Sequence, residues 1–275
     1  MKTFLIIGFV VFAIVIFVSC NTKTKKSNLE HSEVLFSDSL GNTLSKKDLL
    51  NVTGKVNYEI IGIQNIDSKA RMLHQEARKL GQVGKYDMSI VKLREAIKIQ
   101  PDWAYLTYDL AYTYLLKGDF DNALLFYKKT DELEPNGFFT AKTAIYSLEG
   151  EKIGKFPKGL YISYLQIEWS DNLTEKIEIA KTITEQIPDF APAWKELANL
   201  LDDETEKLNA IEQGLLRKPD AETKGILTIN KAIILNNRGN KGEAKNLLGN
   251  LIFSPDVTLG NLELAKFVLK TINEQ

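Results

Sequence analysis

The chain has 275 residues, and its 35 basic and 36 acidic side chains give a formal net charge of −1. This balance excludes a strongly basic nucleic-acid binder, so nucleic acid is not expected among the partners. A single cysteine and only two histidines exclude a disulfide framework and a multi-cysteine or histidine-rich metal site, and no cofactor or metal is expected. The hydrophobic share of 44% is that of a globular protein.

Residues 1–19 are interpreted as a signal peptide. Lys2 supplies a short positive start, and an unbroken apolar run follows over residues 4–18. This run is shorter than the roughly 20 residues that a membrane-spanning helix needs, and its length is typical of a signal peptide. The alternative interpretation is an uncleaved membrane anchor.

The end of the apolar run carries the only cysteine of the chain, Cys20. The sequence up to this residue resembles the lipobox of bacterial lipoproteins, with Phe17 where leucine is usual. The resemblance implies that Cys20 is acylated and that residues 20–31 form a flexible tether. It also implies a lipid-anchored protein of the bacterial cell envelope whose soluble domain lies outside the cytoplasm.

Residues 32–66 differ in composition from the rest of the chain. Two β-rich runs, 34–36 and 56–63, are separated by turn signals and by a capped helical turn near Ser45. These features predict a small β-hairpin-like element with a short inserted helix. Because two strands alone are marginally stable in water, we expect this element to pack on the C-terminal remainder of the chain.

From about residue 67 onward the sequence repeats itself. Gly84 and Gly118 are 34 residues apart, and so are Pro101 and Pro135. A period of 34 residues with glycine and proline at these places resembles the tetratricopeptide repeat (TPR) family. The resemblance implies a mostly α fold, a TPR-type α-solenoid in which each repeat is a pair of antiparallel helices.

The resemblance also implies a division of the chain into about five repeats. Residues 67–137 hold repeats 1 and 2, and residues 138–156 form an inserted helix and a linker. Residues 157–256 hold repeats 3 to 5, with the fifth beginning at Gly225. Residues 257–275 are predicted to be the capping helix that covers the end of such an array.

The sequence carries no recognised catalytic motif, which predicts that the protein is not an enzyme. The acidic run 202–204 lacks the pattern of a calcium-binding loop and is interpreted as a helix N-cap. His74 has no second histidine nearby and is expected at the surface or at the lip of a groove.

In TPR proteins the first helices of successive repeats line a concave groove, and carrying over these positions predicts an aromatic stripe beside two arginines. Aromatic residues and arginine concentrate binding energy at interfaces. Two interpretations stay open: the tyrosines face a ligand, or the inserted helix 138–150 or the β element covers them. The groove candidates are Arg71, His74, Arg78, Tyr105, Tyr108, Tyr112, Tyr161 and Trp169.

Together these features predict a membrane-anchored TPR lipoprotein that acts as a protein- or peptide-binding scaffold in the cell envelope. One alternative is a structural assembly component of an envelope complex. Another is a carbohydrate- or small-molecule-binding module, since tyrosine and tryptophan also suit sugars.

Overall fold

The computed structural model describes residues 33–37, 43–44, 57–61 and 66–274, and it describes side chains from residue 66 onward. The chain divides into two compact units, residues 1–64 and residues 65–275. The predicted signal peptide, Cys20, the tether and the short inserted helix near Ser45 lie outside the described residues.

The first unit contains three short strands, β1 (Glu33–Ser37), β2 (Thr43–Leu44) and β3 (Asn57–Ile61). Strand β1 is central and pairs antiparallel with both of the others. In this register Phe36 lies opposite Leu44 on one side and opposite Tyr58 on the other.

The second unit consists of helices and their connections throughout residues 66–274. The twelve helices described there are α1 (Ser68–Gln82), α2 (Tyr86–Ile99), α3 (Ala104–Leu116), α4 (Phe120–Leu133), α5 (Ala141–Lys152), α6 (Leu160–Trp169), α7 (Leu173–Gln186), α8 (Ala191–Leu200), α9 (Glu204–Leu216), α10 (Ala221–Asn237), α11 (Lys241–Ile252) and α12 (Leu259–Glu274).

Helices α1 and α2 pack on each other, as do α3 and α4, within residues 67–137. Gly84 follows α1 with φ of +73°, and Gly118 follows α3 with φ of +81°. Residues with a Cβ adopt this left-handed conformation only at a cost, which explains glycine at both turns. The small residues predicted at close helix contacts are fully buried, and they are Ala77, Ala96, Ala111 and Ala123.

Helix α5 lies within the segment where the sequence predicts an inserted helix. It packs on α4 and also contacts α10, which is distant in sequence. Next to it, the backbone N–H of Leu259 donates to the carbonyl oxygen of Asn136 at 2.7 Å. Gly137 approaches Thr258 so closely that a Cβ on the glycine would lie 2.9 Å from the threonine Cβ.

The array therefore curves back on itself, and its middle meets its C-terminal part. We call this junction the clasp, defined as residues 136–143 together with residues 220–222 and 258–259. It makes the array more compact than a stack in which each repeat contacts only its sequence neighbours.

Along the rest of the array α6 packs on α7, α8 on α9, and α10 on α11. Helix α10 begins at Ala221, four residues before the predicted start of repeat 5 at Gly225. The reason is a cap: the Asp220 side chain accepts hydrogen bonds from the backbone N–H groups of Glu222 and Thr223, both at 3.1 Å. Helix α12 packs on α10 and α11 in the position predicted for the capping helix.

Candidate functional site

The first two groove tyrosines of α3 are packed against the loop that precedes α5. The Tyr105 ring meets Phe138 and Phe139 edge-on, with ring centroids 4.9 and 5.2 Å apart. The Tyr108 ring lies 5.7 Å from that of Phe138, and its hydroxyl shares a 2.8 Å hydrogen bond with the hydroxyl of Thr140. For Tyr105 and Tyr108, the inserted segment therefore covers the face that a ligand would otherwise occupy.

Phe139, in the loop before α5, has an unusual backbone conformation. Its φ of +46° lies in the left-handed region, which is strained for a residue with a Cβ. This conformation places its ring 5.2 Å from that of Tyr105 and 5.3 Å from that of Tyr108. The aromatic cluster therefore compensates for local backbone strain.

The third groove tyrosine, Tyr112, lies at the other end of α3, where the face remains accessible. Its hydroxyl accepts a 3.1 Å hydrogen bond from the indole Nε1–H of Trp169, which links the ends of α3 and α6. The Trp169 side chain is nevertheless 44% exposed. Large exposed aromatic surface of this kind is available for contact with a partner.

His74 is buried, which corrects the expectation that it lies at the surface or at the lip of the groove. It is only 6% exposed, and its Nε2 lies 2.7 Å from Oδ2 of Asp109, 35 positions later. Its ring packs edge-on against Trp103 at 4.8 Å. Arg78 Nε lies 3.7 Å from the same Asp109 oxygen, so this arginine helps to balance the carboxylate, whereas Arg71 is exposed.

Tyr161 is brought into the core, not onto an open groove surface, and is 1% exposed. The cause lies at the end of α5, where the Glu151 carboxylate accepts hydrogen bonds from the backbone N–H groups of Gly159 and Tyr161, both at 2.7 Å. This contact holds the start of α6 against α5. The Tyr161 ring then stacks on Tyr164 with centroids 6.0 Å apart.

A polar cluster links α6 to α8. The Tyr164 hydroxyl donates to Oε1 of Glu196 at 2.8 Å and accepts from Nζ of Lys195 at 3.0 Å. Lys195 Nζ is also 2.6 Å from the same Glu196 oxygen. Burial lowers the pKa of Lys195, but the contacts with Glu196 outweigh burial and raise it above its usual value.

Glu168 faces this cluster from α6. Burial, followed by the charge of Glu196, raises the pKa of Glu168 to about 7, while Lys195 and Lys176 act in the opposite direction. The Glu168 side chain is half-buried, and none of the side-chain hydrogen bonds or ion pairs among residues 66–274 involves its carboxylate. Its charge also reaches Tyr112: burial, and after it the charge of Glu168, raises the pKa of that hydroxyl.

We call this group of side chains the Glu168 site. Helices α3, α6 and α8 bring its members together, which explains why no local sequence motif marks it. The spacing of groove positions along α6 was the only available signal for Glu168. The members are Tyr112, Tyr164, Glu168, Trp169 and Lys195.

The clasp contains a second carboxylate with a raised pKa, that of Glu222. Its Oε2 accepts hydrogen bonds from the backbone N–H and the hydroxyl of Thr143, both at 3.0 Å. The N-terminus of α5 has no side-chain cap of its own, so Glu222 satisfies a donor that would otherwise lack a partner. Burial and the nearby charge of Asp220 raise the pKa of Glu222 to about 8.

Other kinds of site are not formed by the part of the chain that the structure describes. In that part, no three His, Cys, Asp or Glu side chains are grouped so that they could hold a metal ion. The helices between residues 66 and 274 include none that is long and apolar enough to cross a membrane. The acidic run at 202–204 acts as predicted, since Asp203 accepts from the backbone N–H groups of Thr205 and Glu206, both at 2.9 Å.

Comparison with known proteins identifies one repeat by sequence. The sequence model of the tetratricopeptide repeat family matches residues 104–136, the span of α3 and α4. Among curated proteins, no significant match is found.

Several solved structures are similar to this chain at low identity. MamA residues 41 to the end from Desulfovibrio magneticus RS-1 is 13% identical, with 74% of this chain and 98% of that chain covered and a TM-score of 0.33. TTC0263, a TPR protein of Thermus thermophilus, is 16% identical over 73% of this chain and 99% of its own, with a TM-score of 0.32. YrrB, described as a TPR protein with an unusual peptide-binding site, is 14% identical over 73% of this chain and 92% of its own, with a TM-score of 0.32. Likenesses at this level carry no conclusion about function.

Proposed function

We propose that this chain is a membrane-anchored TPR lipoprotein that binds a protein or peptide partner as a scaffold in the bacterial cell envelope and catalyses no reaction. The observation that carries the binding role is the pair Tyr112 and Trp169. The indole N–H of Trp169 donates to the Tyr112 hydroxyl where α3 and α6 come together, and Trp169 is 44% exposed. Exposed tryptophan and tyrosine beside charged groups are typical of contact sites that dominate binding energy.

The repeat architecture supports the same role. Residues 104–136 match the tetratricopeptide repeat, and the neighbouring helix pairs stack on them. Stacked repeats present an extended surface built from many helices, which suits an extended partner better than a small substrate.

The binding role is tested with Trp169→Ala in the full chain. We expect this variant to keep its helical content, as measured by circular dichroism. Its affinity for the partner should fall about thirtyfold, because a hot-spot aromatic contributes about 2 kcal/mol or more. Capture is measured by pull-down from detergent-solubilised membranes, with partners identified by mass spectrometry. The matched control is Phe253→Ala, which removes an aromatic ring that is 87% exposed and follows α11.

Capture by Trp169→Ala at the level of the wild type would contradict groove binding. Binding through the convex face would then favour the alternative of a structural assembly component.

The anchoring part of the proposal rests on Cys20 at the end of the apolar run. We expect Cys20→Ser to abolish incorporation of radiolabelled palmitate and to release the protein to the soluble fraction or leave the precursor uncleaved. Ser27→Ala in the tether is the control and should behave as wild type. Unchanged processing and membrane retention of Cys20→Ser would instead support an uncleaved anchor.

A further inference from the structure

We infer that the Glu168 site receives one positively charged side chain, lysine or arginine, from the bound peptide. This inference rests on the proposed function, since it names the chemistry of the partner that the groove would hold. It predicts that the bound segment of the partner is basic and not acidic.

The first argument is that the Glu168 carboxylate has no hydrogen-bond or ion-pair partner among residues 66–274. Glu168 is half-buried, and none of the side-chain hydrogen bonds or ion pairs among residues 66–274 involves its carboxylate. A half-buried carboxylate without a partner in the protein is only partly solvated, and an incoming ammonium or guanidinium group would supply both hydrogen-bond donors and a balancing charge. Burial holds the pKa of Glu168 near 7, and a bound cation would lower it.

The second argument is the balance of charge around the carboxylate. Lys195 on α8 is already committed, since its Nζ lies 2.6 Å from Glu196 and 3.0 Å from the Tyr164 hydroxyl. Lys176 on α7 has the smallest effect of the charges that act on Glu168. The cation with the larger effect on Glu168 is therefore paired with another carboxylate, and Glu168 has no ion-pair partner among residues 66–274.

The third argument is the aromatic surface beside Glu168. The charge of Glu168 acts on the Tyr112 hydroxyl, and that hydroxyl is hydrogen-bonded to the indole of the exposed Trp169. Cations are attracted to the faces of such rings, and arginine also stacks on them. The Tyr112 oxygen accepts from the indole, so its own O–H is left to donate to a peptide carbonyl.

The inference is tested by selecting peptides from a random phage-displayed library on the full chain held in detergent micelles. We expect the selected peptides to share lysine or arginine at one position. Glu168→Gln, which keeps the side-chain volume, should select peptides without this preference. Glu185→Gln, at an exposed position on α7, is the matched control and should keep it.

The selected peptide of highest affinity then allows a direct measurement by isothermal titration. Replacing its basic residue by norleucine should weaken binding to the wild type by about tenfold or more, as expected for a charge-assisted contact. The same replacement should change binding to Glu168→Gln by much less, which shows that the two groups interact. Acetylation of the peptide N-terminus distinguishes a terminal amine from a side chain. Acetylation weakens binding only if the terminal amine is the group that the site holds.

The outcomes separate this inference from the proposed function. Selection of neutral or acidic peptides, or equal loss of affinity in Glu168→Gln and wild type, would overturn the inference alone. If the wild type selects no peptide at all, both the proposed peptide binding and this inference are wrong.

Discussion

The carboxylate of Glu222 accepts a hydrogen bond from the backbone N–H of Thr143 at 3.0 Å, across 79 positions of sequence. The same oxygen also accepts from the Thr143 hydroxyl at 3.0 Å. A residue at the start of α10 therefore completes the N-terminus of α5, which has no side-chain cap of its own. Repeats that are not neighbours in the chain are in this way tied together.

We expect Glu222→Ala to lower the free energy of unfolding by about 1–3 kcal/mol, because it leaves buried donors of α5 without an acceptor. Urea denaturation followed by circular dichroism measures this change. Glu206→Ala is the matched control, since Glu206 lies exposed in the first turn of α9 and should change stability by less than about 0.5 kcal/mol. Equal effects of the two variants would show that the clasp contributes nothing to stability.

The same carboxylate predicts a pH dependence with a definite sign. Burial and Asp220 raise the pKa of Glu222 to about 8, whereas an unfolded glutamate titrates near about 4.3. The folded state therefore holds a proton that the unfolded chain has lost, and this contribution to stability is lost as pH rises from about 4.3 to 8. Glu168, with a pKa of about 7, acts in the same direction.

We accordingly expect the free energy of unfolding to fall as pH rises through this window, at no more than about 1.4 kcal/mol per pH unit for each group. Glu222→Gln should flatten the dependence, while Glu206→Gln should leave it unchanged. Urea midpoints across the pH range provide the measurement. A slope in Glu222→Gln as steep as in the wild type would contradict the assignment.

Ala111 tests the register of the second repeat. The side chain is fully buried in α3, so Ala111→Leu is expected to overpack the contact and to destabilise the fold by about 1–3 kcal/mol. Thermal melting measures the effect. Val91→Leu, at an exposed position on α2, adds bulk where there is room and should melt like the wild type.

Tyr108 separates a packing role from a binding role. Its ring packs on Phe138 and Tyr127, and its hydroxyl is bonded to Thr140. Tyr108→Ala should therefore destabilise the fold by about 2–4 kcal/mol, and Tyr108→Phe, which loses one hydrogen bond, by about 1 kcal/mol. Chemical denaturation compares the two. If Tyr108→Ala were as stable as the wild type, the loop before α5 would not cover this tyrosine.

The helical repeats were predictable from sequence because local rules decide them. Gly84 and Gly118 recur at a spacing of 34 and both adopt the positive φ that their turns require. The buried faces of α1 to α4 follow from small residues at fixed intervals, as Ala77 and Ala111 show. Such features need only the geometry of neighbouring helices.

The environment of the candidate site was less predictable because tertiary contacts decide it. The burial of His74 depends on Asp109, and the cover over Tyr108 depends on a loop whose strained Phe139 no propensity favours. Spacing along α6 pointed to Glu168, but it could not reveal the contacts of Lys195 with Tyr164 and Glu196, which depend on how α8 packs.

The hydrogen bond from Leu259 to Asn136 changes how this array should come apart. An open solenoid can fray from its last repeat inward, with each terminal unit leaving while the rest stays intact. Here unfolding of α12 would also expose the turn after α4. The last helix therefore cannot unfold by itself without destabilising the middle of the array. Amide hydrogen exchange at Leu259 should then be as slow as at the centre of the array. A protease should cleave within α12 only when the array unfolds cooperatively, and not through fraying of its end.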